Sequence, residues 1–265
     1  MKKRMLLLGM LLLIISGFAY GVQPNPDSVI ILYSDGGTGK MNLSDISTQH
    51  PPNRIIYHML NVVLPEKYGI NIKLKPIMWS RGLKLIKNGL ADGIINASYN
   101  DERATYAVYP MKNGKPDPAK LLRVTEYSLF KSKKSTITWD GVKIDGIDGG
   151  IASLKSYAII KDLEKMGIIV KEDQNTETIF RNLAIGKHKA AAVLGPVGDK
   201  QLADNPALKG KIIKFEKPLK KKEYYLIFSK KFYKNNEKLA NAIWNAIENY
   251  SSSDEYHELK RVFEK

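Results

Sequence analysis

Residues 79–110 read WSRGLKLIKNGLADGIINASYNDERATYAVYP, and this stretch decides the fold. Leu83, Leu85, Ile86 and Leu90 set an apolar stripe at helical spacing over Ser80 to Asn88. Gly89 follows, where a helix C-terminus favours a residue free to take positive φ. Ala91 to Ala97 is short and apolar, the pattern of a strand buried on both faces. Ser98, Asn100 and Asp101 then supply short polar side chains where a strand ends and a helix begins, and Arg103 comes directly after. In an open α/β sheet, ligands bind at the carboxyl ends of strands. An arginine there presents two parallel donors that suit a carboxylate. The bland alternative is a solvated or salt-bridged surface arginine.

Working outward, Val29 to Tyr33 reads as a first strand, followed by the Gly-rich Ser34 to Lys40 (SDGGTGK). That loop lacks the spacing of a phosphate loop and is expected to form a flexible rim. Asn53 is placed to cap a helix reaching about Glu66, with Ile55, Ile56, Met59, Leu60, Val63 and Leu64 packed inward. Ile70 to Pro76 alternates as a strand. The order β-α-β-α-β makes a small lobe with parallel strands. Trp79 is either a wall of the crevice or a core residue. Met111 to Leu122, with one Gly and two Pro, is a lid or a surface loop.

Val124 to Phe130 is strand-like and should cross into a second lobe. There Val142 to Ile147 reads as a strand, Asp148 to Gly150 as a turn, and Ala152 to Met166 as a helix. Ile168 to Lys171 is the next strand, Asn175 or Thr176 caps a helix to Ile185, and Ala190 to Leu194 is a buried strand. Leu208 to Phe215 adds another, and Pro218 to Lys222 links back to a first-lobe strand, Tyr224 to Ser229. Asn235 to Asn249 and Tyr256 to Phe263 are the closing helices. The expected division is 1–21 signal peptide, 22–124 with 222–265 as lobe 1, and 125–221 as lobe 2.

The chain has 265 residues, 43% hydrophobic and 26% charged, ordinary globular material. Lys2, Lys3 and Arg4 precede an apolar run from Met5 to Ile15, and Ala19 and Gly21 fit a cut before Val22. This is the pattern of a secretory signal peptide, an uncleaved anchor being the alternative. With no cysteine, there is no disulfide, no thiol nucleophile and no lipid-modified N-terminus, so a periplasmic location is expected. Formal charge is +15, and Lys217, Lys220, Lys221, Lys222, Lys230, Lys231 and Lys234 form a solvated basic face. No nucleic-acid reading element accompanies them. Four histidines without a His-x-x-x-His pair exclude the common metal patterns, and no cofactor is expected.

Gly89, Asp92 and Gly93, then Asn100-Asp101-Glu102-Arg103, behind a Trp and an apolar helix, resemble the extracytoplasmic solute-binding proteins of family 3. These are the amino-acid-type receptors of bacterial ABC importers, usually worded G-x-x-D-A, strand, T-x-E-R. The resemblance implies an α/β, two-lobed periplasmic-binding-protein-like fold (type II), each lobe a mixed sheet flanked by helices, with two hinge crossings. It implies that Arg103 grips a ligand carboxylate with help from Asn96 and Ser98. Tyr33 and Asp35 stand where such receptors make first contacts, and Tyr127 where a Pro-Tyr pair meets the hinge. Ser153 is the hydroxyl nearest the helix start expected to receive the carboxylate. Trp79 would wall the ligand's apolar part.

One departure matters. Such receptors carry an Asp at the end of the second lobe's buried strand, to pair with the ligand's ammonium. Here Leu194 and Gly195 stand there. Either Asp199, Asp35 or Glu126 substitutes, or the ligand is not an α-amino acid, because an unpaired buried ammonium is costly. The expected role is a non-enzymatic, monomeric receptor for a small anionic or zwitterionic ligand that serves an inner-membrane ABC permease. The alternatives are an enzyme of dehydratase type, with Asp101, Glu102, His50 or His188 as acid or base, and a ligand-sensing adaptor for a membrane signalling partner.

Overall fold

The computed structural model describes residues 28–33 and 51–263. The signal-peptide region, the Ser34 to Lys40 loop, Asp35 and His50 lie outside them. Strand β1 (Val29–Tyr33) is followed by helix α1 (Pro51–His58), which runs through a π-helical turn, Met59–Val63, into Leu64–Tyr68. Asn53 is therefore inside a helix rather than its cap. Next come β2 (Ile72–Pro76), α2 (Trp79–Lys87), β3 (Gly93–Ser98) and α3 (Asp101–Ala104). Gly89 takes φ 63° as the α2 stop requires. Asp92 is a fastener: its carboxylate accepts the Ile30 N–H at 2.8 Å, and its carbonyl accepts that of Ser229 at 2.8 Å. Asp92→Ala would strand the Ile30 donor, and a loss of about 1–3 kcal/mol is expected in urea unfolding.

The chain then forms a short hairpin (Met111–Lys112 with Lys115–Pro116) and a 3₁₀ turn, Pro118–Lys120. Lys120 lies 3.8 Å from Glu248, so the 3₁₀ turn that ends this segment meets the C-terminal part of the chain. The long strand β4 (Arg123–Ser132) leads into the second lobe: β5 (Ile151–Leu154), α4 (Ile159–Lys165), β6 (Val170–Asp173), α5 (Thr176–Ala184), β7 (Ala190–Leu194), α6 (Gly195–Asp204) and β8 (Ile212–Lys214). The equally long β9 (Lys220–Ser229) returns, and α7 (Lys230–Asn235), α8 (Glu237–Ser251) and α9 (Asp254–Phe263) close the chain.

One expectation fails here. Ile151–Leu154 is a fully buried strand, not the first turn of a helix. A four-residue apolar run carries no periodicity to separate the two. Gly150 decides it: at φ 86°, its missing Cβ would sit 2.5 Å from the Ile169 carbonyl, so only glycine lets the backbones approach there. The strand-to-helix turn of the second lobe is consequently Lys155 to Ala158.

Among the described residues the main sheet runs β6-β5-β7-β4-β9-β3-β1-β2. Pairing is parallel within β2-β1-β3 and within β6-β5-β7, and antiparallel where β4 and β9 enter. Each crossing strand serves both halves. Tyr127 pairs with Leu194 on one side and Lys220 on the other, and Tyr224 pairs with Ser98 and Arg123. Separate cores flank the halves: Ile31, Leu60, Phe228 and Trp244 belong to one, and Leu129, Ile151, Leu163 and Ala192 to the other. This is the two-lobed, mixed α/β architecture with two crossings.

Candidate functional site

Arg103 sits on α3, a helix of four residues. Asn100 caps it, its Oδ1 accepting the Arg103 N–H at 2.7 Å. That turn folds the side chain back across the end of β3, where Arg103 is only 3% exposed. One terminal nitrogen donates to the Ser98 carbonyl, and the Tyr109 hydroxyl donates to the same oxygen at 2.8 Å. The other terminal nitrogen reaches the Ser156 carbonyl of the second lobe at 3.5 Å. The guanidinium lies 5.2 Å from the Trp79 ring centre. Its Nε is buried and makes no hydrogen bond among the described residues. Burial opposes the charge, but Tyr109 and Tyr106 outweigh it and hold the group above its ordinary pKa. Burial in turn pushes the Tyr109 hydroxyl well up, so it stays a neutral donor.

The second lobe answers with the turn after β5. Ser156 takes φ 64°, a left-handed conformation that costs a non-glycine residue roughly 1–3 kcal/mol. Its N–H donates to Glu172 at 3.1 Å, while its carbonyl accepts the Trp79 indole N–H at 3.1 Å as well as Arg103. Tyr157 meets Trp79 edge-on at 6.2 Å and Tyr127 at 6.3 Å, joining the first lobe's wall to the hinge. The cleft beside them is lined by Met78, Trp79 and Ser80 on one side and Leu154, Lys155, Tyr157 and Gln174 on the other.

A second arginine belongs to this place. Arg123 opens β4, and its guanidinium lies 5.5 Å from the Tyr224 ring centre. Its Nε is also buried without a hydrogen bond among the described residues, and burial lowers its pKa. Pairing places Ser98, Tyr224 and Arg123 abreast on neighbouring strands, so their side chains share one face. An arginine at the start of a crossing strand was the only sequence signal for it.

The predicted residues are distributed as follows. Arg103, Trp79, Ser98 and Tyr127 gather at the cleft, Ser98 offering its carbonyl to the guanidinium. Tyr33 is fully buried in the first core, edge-on to Tyr57 at 5.3 Å, so it stands behind the site. Asn96 takes φ 60° where β3 and β9 shift register, and its Oδ1 is buried without a hydrogen bond among the described residues. Ser153 requires correction: it is fully buried in β5 and donates to the Ala192 carbonyl at 2.9 Å, tying strand to strand. Ser156 and Tyr157 stand where Ser153 was expected, because the turn falls later in the chain.

Of the proposed ammonium partners, Asp199 is engaged elsewhere, while Glu126 lies beside Gly195, the position the expected Asp would hold. Asp199 is exposed and paired with Lys214 at 2.7 Å. Glu126 alternates to the opposite face of β4 from Tyr127, and its Oε1 lies 3.6 Å from where a Gly195 side chain would begin. His188 is buried against Asp173 at 2.8 Å and Asn182 at 3.3 Å. Among the described residues, no group of three or more His, Cys, Asp or Glu could hold a metal. Two guanidiniums stand against aromatic rings, Arg103 on Trp79 and Arg123 on Tyr224, and the parallel donors of a guanidinium suit an anion.

No protein-family model matches this chain, and no curated protein does either. Solved structures do match. A histidine kinase sensor domain with similarity to periplasmic binding proteins superposes with a TM-score of 0.67 at 12% identity, over 89% of this chain and 95% of that one. The arginine-, lysine-, histidine-binding protein ArtJ from Geobacillus stearothermophilus gives 0.65 at 16%, over 89% and 95%. The GluR0 ligand-binding core from Nostoc punctiforme, in complex with L-glutamate, gives 0.60 at 17%, over 89% and 98%. The chain therefore has the two-lobed periplasmic-binding-protein-like fold.

Proposed function

We propose that this chain is an exported receptor that captures a small carboxylate-bearing molecule between lobe 1 (22–124 with 222–265) and lobe 2 (125–221), and delivers it to an inner-membrane ABC permease. Arg103 carries the proposal. It is a guanidinium at 3% exposure, with no carboxylate partner among the described residues, reached by backbone from both lobes. A buried, unpaired cation is expensive unless something pairs with it. Trp79, Tyr127 and Tyr157 provide apolar walls, Ser98 and Tyr109 hold the guanidinium's orientation, and Asn96 and Tyr33 support the floor. Closing two lobes about a hinge needs no covalent chemistry, and ligand shifts the population toward the closed form. Among the described residues no helix is long and apolar enough to cross a membrane. Fold neighbours include binding proteins and a sensor domain; the sensory alternative rests on that second likeness.

A thermal-shift screen tests this. A carboxylate at about one hundred times its Kd should stabilise the chain by about 2.7 kcal/mol. Neutral sugars should give no shift, and ordinary α-amino acids a weak one, since no carboxylate faces the guanidiniums among the described residues to receive an ammonium. A large shift from a single amino acid would contradict the second expectation, and a sugar-only response the first.

A further inference from the structure

Resting on that reading, we propose that the cleft selects a dianion, a short dicarboxylate, with one carboxylate on Arg103 and the other on Arg123. Arg103 is held at Ser98, and Arg123 stands in register with Ser98 through Tyr224, whose ring centre it meets at 5.5 Å. Both keep a buried Nε without a hydrogen bond among the described residues. The ion pairs of the described residues use lysines and one histidine, and neither arginine takes part.

The spacing suits one small molecule. Ser98, which anchors Arg103 through its carbonyl, and Arg123 stand two strands apart, roughly 10 Å at the ordinary strand separation. The Arg103 guanidinium is held at Ser98 and Arg123 starts from its own strand, so a few-carbon linker is the length that would join carboxylates on the two. The strand between them carries Tyr224, and the Trp79, Tyr157 and Tyr127 rings, edge-on to one another, offer apolar surface beside Arg103. A monoanion would leave one of the two guanidiniums unpaired. A zwitterion would bring a third positive charge beside two, against like-charge repulsion in a poorly solvated place.

The experiment is calorimetric titration of the purified chain with α,ω-dicarboxylates of increasing length, and with monocarboxylates and α-amino acids of matching length. The best dicarboxylate is expected to bind about ten-fold or more tighter than its monocarboxylate, the worth of one charge-assisted contact. In Arg123→Gln that ratio should fall to near one, and Arg123→Lys, which keeps the charge but loses the fork, should retain part of it. A ratio near one in the unaltered chain, or a ratio that survives Arg123→Gln, overturns the dianion proposal while leaving the carboxylate receptor standing. Should no carboxylate of any kind bind, the receptor reading itself falls.

Discussion

Arg103→Ala is expected to abolish ligand-dependent stabilisation while leaving a folded chain. Removing one partner of a buried, hydrogen-bonded charge pair costs about 2–5 kcal/mol of binding, hence thirty-fold to several-thousand-fold in affinity by the usual conversion. The folded state loses less. Arg103 pairs with no carboxylate among the described residues, so its removal strands no buried anion there. Ser98 keeps the Tyr109 hydroxyl, and Ser156 keeps the Trp79 indole. Arg103→Lys separates charge from shape: it retains a cation but not the planar fork, and most of the affinity should still be lost. Calorimetry on both variants, with circular dichroism to check folding, decides the matter. Wild-type affinity in Arg103→Ala would remove this residue from the site.

The contact across the lobes gives that variant a second consequence. Trp79 and Arg103 converge on one carbonyl, that of Ser156, and the left-handed turn holding it is strained. Such strain persists only where surrounding contacts enforce it. Here they are the Glu172 hydrogen bond from behind and the two donors in front. On the proposed reading, one guanidinium would serve both the ligand carboxylate and the carbonyl from the second lobe, so capture and the seating of that lobe would be coupled.

Local signals made the first lobe legible. The α2 stripe, the Gly89 stop and the Asn100 cap each act within four residues, and together they place Arg103 just past the end of β3. The second lobe was harder to read. Ile151–Leu154 is too short to show a period, which displaced the turn and put Ser153 where Ser156 and Tyr157 belong. Helix α6 opens on Gly195-Pro196 and contains Gly198, a composition that reads as loop. Arg123 escaped notice for a different reason. Its importance lies in its register, through Tyr224, with Ser98, and strand pairing between residues so distant in sequence leaves no local mark. Ser156 acts through its backbone carbonyl, which no side-chain pattern encodes.

The largest loss of stability is expected from Trp244→Ala, far from the cleft. Trp244 on α8 is 2% exposed, and its indole N–H donates to the Leu226 carbonyl of β9 at 2.8 Å. Its ring packs on Phe228 at 5.1 Å and on Tyr233 at 5.8 Å. Truncation should cost about 3–5 kcal/mol, the range for Trp to Ala in a core. At about 2–4 °C per kcal/mol for a chain of this size class, that lowers Tm by roughly 6–20 °C. Trp244→Phe would keep one six-membered ring and lose the rest of the indole with its hydrogen bond, so a smaller drop, about 1–3 kcal/mol, is expected. The two effects meet on β9, because the strand that Trp244 holds by Leu226 is the one that sets Tyr224 beside Ser98 and Arg123. Below its lowered transition, Trp244→Ala should still bind the wild-type ligand; a Tm change under 2 °C would show instead that α8 contributes little to holding the crossing strand.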